Sequence, residues 1–162
     1  MDEITYKPIG VIHSPFTDVQ GMPIQPSGAS GVEGTVELNT DLVPGLKDLD
    51  GFSHIILIYH FHLSNGHSLE VIPFLDDTPR GVFATRAPRR PNSIGISIVR
   101  LTGISGNTLQ IQDVDILNET PVLDIKPFVP EFDNRRTALS GWLSGKRKDV
   151  RKTKADKRFA NR

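Results

Sequence analysis

The sequence contains no cysteine, which removes disulfides, thiolate metal ligands and cysteine nucleophiles together and suits a reducing compartment. It also lacks a long apolar run: the stretch Ile55 to Tyr59 falls far short of the about 20 residues that a membrane-spanning helix needs. The opening MDEITYKP has neither the basic start nor the apolar core of a secretory signal. A soluble, cytoplasmic protein with no membrane association is therefore expected. Net charge is absent as well, with 19 Lys and Arg against 19 Asp and Glu. The balance is uneven along the chain, however. From Lys146 onward nine basic residues face only Asp149 and Asp156, a local charge of +7, so the preceding residues carry −7. A segment of this composition is either a solvated end or an arm that neutralises phosphates. No Gly-rich Rossmann fingerprint occurs, which argues against a dinucleotide site of that class. GASGVEG at 28–34 lacks the Lys-Ser or Lys-Thr of a phosphate loop and reads as a structural turn.

What the sequence does contain is β periodicity. Short runs rich in β-branched residues and bounded by turn residues occur at 6–13, 35–38, 54–63, 69–75, 81–85, 94–104 and 108–117. SGN at 105–107 reads as a tight hairpin, because Gly and Asn tolerate positive φ. Twelve prolines and the scarcity of long helical patterns point to an all-β fold, a small closed or nearly closed β-barrel with long loops. One domain over 1–144 followed by a basic tail over 145–162 accounts for the length of 162 residues. Residues 14–34, rich in Gly, Pro and Ser, form a loop long enough to be functional.

Four groups of residues could carry chemistry. His54, His60 and His62 share one face of a strand by even spacing, but strung along that strand they span too far to reach one ion, so no metal is expected. GVFATRAPRRPNSIGIS at 81–97 sets Arg86, Arg89 and Arg90 among Pro88 and Pro91. The prolines stiffen the loop, and guanidinium groups bind carboxylate or phosphate bidentately, so this is either an anion site or a surface loop ion-paired to Asp76 and Asp77. Thr85 and Asn92 add neutral donors beside it. The glycine-rich turn is the third group. The fourth, 114–133, reads as a strand leading to an edge strand with Asp124, Lys126 and Asp133 solvated or paired.

SPF at 14–16, GMPIQP at 21–26, FSHIILIYHFH at 52–62, GVFATRAPRRPNSIGIS at 81–97 and ETPVLDIKPFVPEFD at 119–133 resemble, in order, the motifs of the TsaA-like, or TrmO-type, tRNA methyltransferases. The resemblance implies a small β-barrel that binds S-adenosylmethionine, forms a homodimer with the cofactor site near the subunit interface, and methylates N6-threonylcarbamoyladenosine at tRNA position 37. Carried over, it implies cofactor contacts at Pro23, Ile24, Gln25, His62, Leu63, Arg86, Ile96, Asp115, Ile116, Leu117, Asn118 and Glu119. Arg89, Arg90, Asn92, Asp124 and Lys126 would face substrate or the dimer partner. The family pattern has Arg where Ile24 stands, Ser at Ala87, Pro at Ser93 and Asp-Gly at Asn118-Glu119. Methyl transfer to a conjugated nitrogen is helped by proton removal, for which His62, Asp115 and Asp124 are alternative general bases. A non-catalytic RNA-binding or small-molecule-binding barrel, or a His-based metal-dependent barrel enzyme, are the competing readings.

Overall fold

A computed structural model describes residues 3–135, 137–146 and 152–159. Six strands close an antiparallel barrel in the order β1-β2-β7-β6-β3-β8: β1 (Gly10–His13), β2 (Glu33–Leu38), β3 (His54–His60), β6 (Ile94–Ser105), β7 (Thr108–Gln112) and β8 (Thr120–Pro127). A separate hairpin-like pair, β4 (Glu70–Val71) and β5 (Arg80–Gly81), lies outside it, and one short helix, α1 (Pro130–Asp133), follows β8. Closure removes the unpaired strand edges that would otherwise invite aggregation. Among the described residues no helix is long and apolar enough to cross a membrane.

Period-two alternation decides which side chains fill the barrel. On β3, Ile55, Leu57 and Tyr59 are buried while His54, Ile56, Ile58 and His60 face outward. They meet Ile12, Val36, Val99, Leu109, Ile111 and Val122 from the other strands in one core. Gly106, at φ 58°, makes the two-residue β6–β7 turn that the SGN motif predicts. On β6 the inward positions are Gly95, Ser97 and Val99, so one polar side chain sits among apolar ones. A Cβ at Gly95 would overlap the ring of Tyr59, which is why the smallest residue stands there.

Several expected elements differ. The strand read at 54–63 ends at His60, so His62 lies beyond it. The run 69–75 keeps only two residues of strand, and 81–85 becomes a 3-10 turn over Val82–Ala84. Residues 113–117 leave the ladder after β7. The expected edge strand within 114–133 is β8, which is paired on both sides, to β1 and to β3. Pro121 and Pro127 gave it an edge-like sequence, but they lie near its two ends, where a missing N–H interrupts little.

Of the basic segment, 147–151 and 160–162 lie outside the described residues. Residues 152–159 do not run into solvent; they return to the barrel's loops, with Ala155 bonded to the backbone at Gly21 and Met22.

Candidate functional site

A cleft of about 590 Å³ opens beside the ends of β3 and β6. Its walls come from the loop over 17–25, the β3 exit (Phe61 to Ser64), the arginine loop, the start of β6 and the turn after β7. Of the residues expected to contact a cofactor, Pro23, Ile24, Gln25, His62, Leu63, Arg86, Ile96, Asp115, Ile116 and Leu117 border this one cleft. Asn118 and Glu119 do not. Asn118 instead ties the chain together, its Oδ1 accepting from the Ser14 N–H at 3.1 Å and its own N–H donating to the Phe16 carbonyl at 2.7 Å. The SPF motif is fixed at the same place, with Ser14 Oγ donating to the Ile116 carbonyl at 2.6 Å. Glu119 adopts φ 64°, a left-handed conformation that favours glycine, and faces His13 at 3.8 Å.

The polar heart of the cleft is a chain of three side chains. Asp115 Oδ1 accepts from Ser97 Oγ at 2.7 Å, and Ser97 Oγ lies 3.1 Å from the Tyr59 hydroxyl. Burial pushes the Asp115 carboxyl up to about 6, against the lowering effects of the Ser97 hydrogen bond, its own backbone N–H and the Arg86 charge. Burial, reinforced by the Asp115 charge, also raises the Tyr59 phenol, so it stays protonated. Arg86 reaches across the cleft, its Nη1 donating to Gln25 Oε1 at 3.1 Å. At the β3 exit, Thr120 Oγ1 donates to the Leu117 carbonyl at 2.7 Å and lies 3.3 Å from His62 Nδ1. With its only proton so engaged, the Thr120 oxygen accepts from Nδ1–H, and His62 keeps its Nε2 lone pair. Burial and the neighbouring His60 lower the His62 pKa, which favours that neutral form.

The arginine loop is not the ion-paired surface loop considered from sequence. Asp76 pairs instead with Arg80 at 2.7 Å and Lys146 at 3.5 Å. Arg90 borders the cleft, but its Nη1 donates to the carbonyls of Thr85 at 2.8 Å and Val82 at 3.1 Å, so it braces the loop from within. Arg89 and Asn92 lie in the same loop outside the cleft lining, and Arg89 Nε is buried with no hydrogen-bond partner. Asp124 and Lys126 are elsewhere: they pair with each other at 2.7 Å on β8, and Asp124 lines a second cavity of about 470 Å³ with Leu46, Lys47 and Phe52. Asp124 is thus separated from the other two base candidates. Among the described residues no group of three or more His, Cys, Asp and Glu is placed to hold a metal, and His54 turns to Ser53 and Phe128.

Sequence reasoning missed Tyr59, Ser97 and Thr120. The lone polar residue among the inward positions of β6 was the available signal for Ser97; Tyr59 reads as ordinary core. It also missed Ala155, Asp156 and Phe159, which border the cleft from the basic segment and carry no periodic pattern.

The donor set fits an amphipathic, zwitterionic ligand. Apolar walls at Ile24, Ile94, Ile96 and Ile116 surround the Arg86 guanidinium, the Gln25 amide and the buried Asp115 carboxylate, with Arg90 turned to its own loop, so both an apolar ring and charged termini find partners.

Comparison with known proteins agrees with this geometry. The sequence profile of the tRNA-methyltransferase O N-terminal domain family matches residues 11–134. A relative from Pyrococcus abyssi, named "Probable S-adenosyl-L-methionine-binding protein", is 54% identical over 156 residues, 96% of this chain and 85% of that protein. The human tRNA (adenine(37)-N6)-methyltransferase is 33% identical over 141 residues, 82% of this chain and 32% of that protein. The crystal structure of TrmO from Pseudomonas aeruginosa superposes with a TM-score of 0.74 at 39% identity, covering 87% of this chain and 63% of that one. The chain therefore spans less than two thirds of the length of these last two. The profile match, the relatives' identity and the shared barrel agree: the chain belongs to the tRNA-methyltransferase O N-terminal domain family.

Proposed function

We propose that this protein is an S-adenosylmethionine-dependent methyltransferase that methylates N6 of N6-threonylcarbamoyladenosine at position 37 of tRNA, in the cytoplasm and as a homodimer. The observation that carries the reading is the convergence of Arg86, Gln25, His62 and Asp115 on one apolar-walled cleft in a chain of this family. The names of the relatives support the cofactor and the tRNA substrate.

When bound, S-adenosylmethionine supplies an electrophilic methyl group on a sulfonium. The protein's part is to bind, orient and keep the site dry. Arg86 and Gln25 would offer the cofactor polar contacts, and Ile24, Ile96, Ile116 and Leu117 would hold it against apolar walls and exclude water. N6 of the acceptor shares its lone pair with the purine and the carbamoyl group, so removal of its proton assists attack. Asp115 and His62, both in the cleft wall, are the two candidate bases; burial raises the Asp115 pKa to about 6, which makes it a stronger base than an ordinary carboxylate. Ser97 fixes its orientation. Asp124 has no place in this step, since it lies in the other cavity. Of Arg89 and Arg90, the candidates for the substrate's threonyl carboxylate, Arg90 is taken up by loop carbonyls, which leaves Arg89; the exposed Lys152, Lys154 and Lys157 are candidates for tRNA phosphates.

The dimer has a candidate face. Ile94, Ile96 and Ile98 on β6 are 39, 47 and 40% exposed, and two of them lie in register with Ile58 and Ile56 of β3. Lys126 and Asp124 on β8 border the same face, opposite Ile56 and Ile58. A row of exposed isoleucines on a closed sheet is a surface that a second copy would cover, and because Ile94 and Ile96 also line the cleft, that copy would sit beside the site.

The test is calorimetric titration of S-adenosylmethionine into the protein, followed by incubation with threonylcarbamoylated tRNA and nucleoside mass spectrometry. Cofactor binding with a mass gain of one methyl on the modified adenosine is expected. Cofactor binding without product would instead mark a binding barrel.

A further inference from the structure

Beyond α1 the chain returns to the cleft. Residues 152–159 lie outside both the barrel and the 11–134 family match, yet Ala155, Asp156 and Phe159 border the ligand site. They are fastened at two points. At the first, the Gly21 N–H donates to the Ala155 carbonyl at 2.7 Å, the Ala155 N–H donates to the Met22 carbonyl at 2.7 Å, and Pro23 pairs with Lys154 in an isolated antiparallel bridge. This is one rung of sheet laid directly on the loop that carries Pro23, Ile24 and Gln25. At the second, Phe159 packs on the small core of Val71, Val82 and Ala87 and meets Phe74 edge to face at 5.1 Å. Arg158 reinforces that point: its Nη1 donates to the Pro73 carbonyl at 2.8 Å, its guanidinium lies 5.2 Å from the Phe74 ring, and it pairs with Asp156 at 2.8 Å.

The segment therefore bridges two loops, 17–25 and 70–75, each of which lines the cleft. We infer that residues 152–159 are a strap that forms an integral wall of the cofactor site, touching the bound ligand through Ala155 and Phe159 and holding the Pro23–Gln25 loop against it. This inference rests on the reading of the cleft as the S-adenosylmethionine site. The physical argument is reciprocal. The strap is held by few backbone bonds and one small apolar cluster, so it belongs to the part of the structure that opens most easily. A ligand touching both barrel and strap favours the closed arrangement, and the closed arrangement in turn raises ligand affinity by the same factor.

The experiment uses the full chain and two variants that release the two fastenings separately. Phe159→Ala empties the plug, and Ala155→Pro removes the N–H that donates to Met22. S-adenosylmethionine is titrated calorimetrically into each, and hydrogen exchange of the parent is followed by mass spectrometry with and without the cofactor. Each variant is expected to bind about tenfold more weakly with the barrel's far-ultraviolet circular dichroism unchanged. In the parent, cofactor should slow exchange across 153–159 as well as 19–25. The exchange readout needs no variant, so a folding defect in either one leaves the inference exposed to refutation. If the parent binds and both variants bind within about twofold of it, or if cofactor protects 19–25 but not 153–159, the strap is not part of the site. Failure of the parent itself to bind overturns the reading of the cleft, and the inference falls with it.

Discussion

Asp115→Asn should make the protein more stable and less able. The Asp115 carboxyl, ordinarily near 3.8, is pushed up to about 6 in the folded chain by burial. A folded-state pKa above the unfolded one means that the protonated side chain contributes stability that is fully present below pH 3.8 and is lost as pH rises through 6. The gap corresponds to about 3 kcal/mol at neutral pH, and water in the open cleft reduces it to about 1–2 kcal/mol. Asparagine keeps the oxygen that accepts from Ser97 and cannot ionise. Urea denaturation of parent and variant at pH 3 and pH 8 measures the effect, since titrating groups that do not touch Asp115 cancel in the difference. The two should differ little at pH 3, below both pKa values, and the variant should be the more stable by about 1–2 kcal/mol at pH 8. Methyl transfer by the variant should fall by two or more orders of magnitude, about the contribution of a general base. A variant less stable than the parent at pH 8, or a difference that does not change between the two pH values, would refute the assignment of a buried, costly carboxylate.

Other substitutions probe separate parts of the same account. Arg86→Ala removes the guanidinium that meets Gln25 in the cleft, and cofactor affinity should drop by about tenfold or more in a calorimetric titration, as for a lost hydrogen bond to a charged group; an unchanged Kd would remove Arg86 from the site. Gly95→Ala forces a methyl into the Tyr59 ring and should destabilise the fold by about 1–3 kcal/mol, read as a lower Tm. Glu119→Gly relieves a left-handed conformation that a side chain resists and should stabilise by about 0.5–1 kcal/mol, against the loss of its weak approach to His13 and its charge beside His62; destabilisation would show those interactions to matter more than the backbone. Ile98→Lys puts a charge into the exposed isoleucine face; if that face carries the proposed dimer, sedimentation velocity should show a dimeric parent and a monomeric variant with cofactor binding retained.

Sequence and structure parted company where the deciding contacts were not local. Alternation set His54 and His60 on one face of their strand, and the structure buries Ile55, Leu57 and Tyr59 on the other, because period-two burial is a local property. The same rule could not show that β8 closes the barrel between β1 and β3, and its two prolines pointed the other way. In the site, the motif residues on the 17–25 loop, the β3 exit and the turn at 115–117 were legible and do converge. Asn118, Glu119, Asp124 and Lys126 belong to the same motifs but serve turn geometry or the outer sheet face, a distinction that depends on which way each side chain leaves the backbone. Glu119 is instructive: the chain adopts there a left-handed conformation that favours glycine, and does so without one. Ser97 could have been found as the odd polar residue on an inward face, whereas the strap could not, since its charge composition is that of a solvated end.

The order of the chain gives the strap a further consequence. Every barrel strand is complete by Pro127, and the strap begins only at Lys152. The barrel's strand pairings are therefore all made within residues 10–127 and draw nothing from the strap. Scaffold and ligand site are separable in the chain: one cut just past β8 would carry every barrel strand and the motif residues while lacking Ala155 and Phe159.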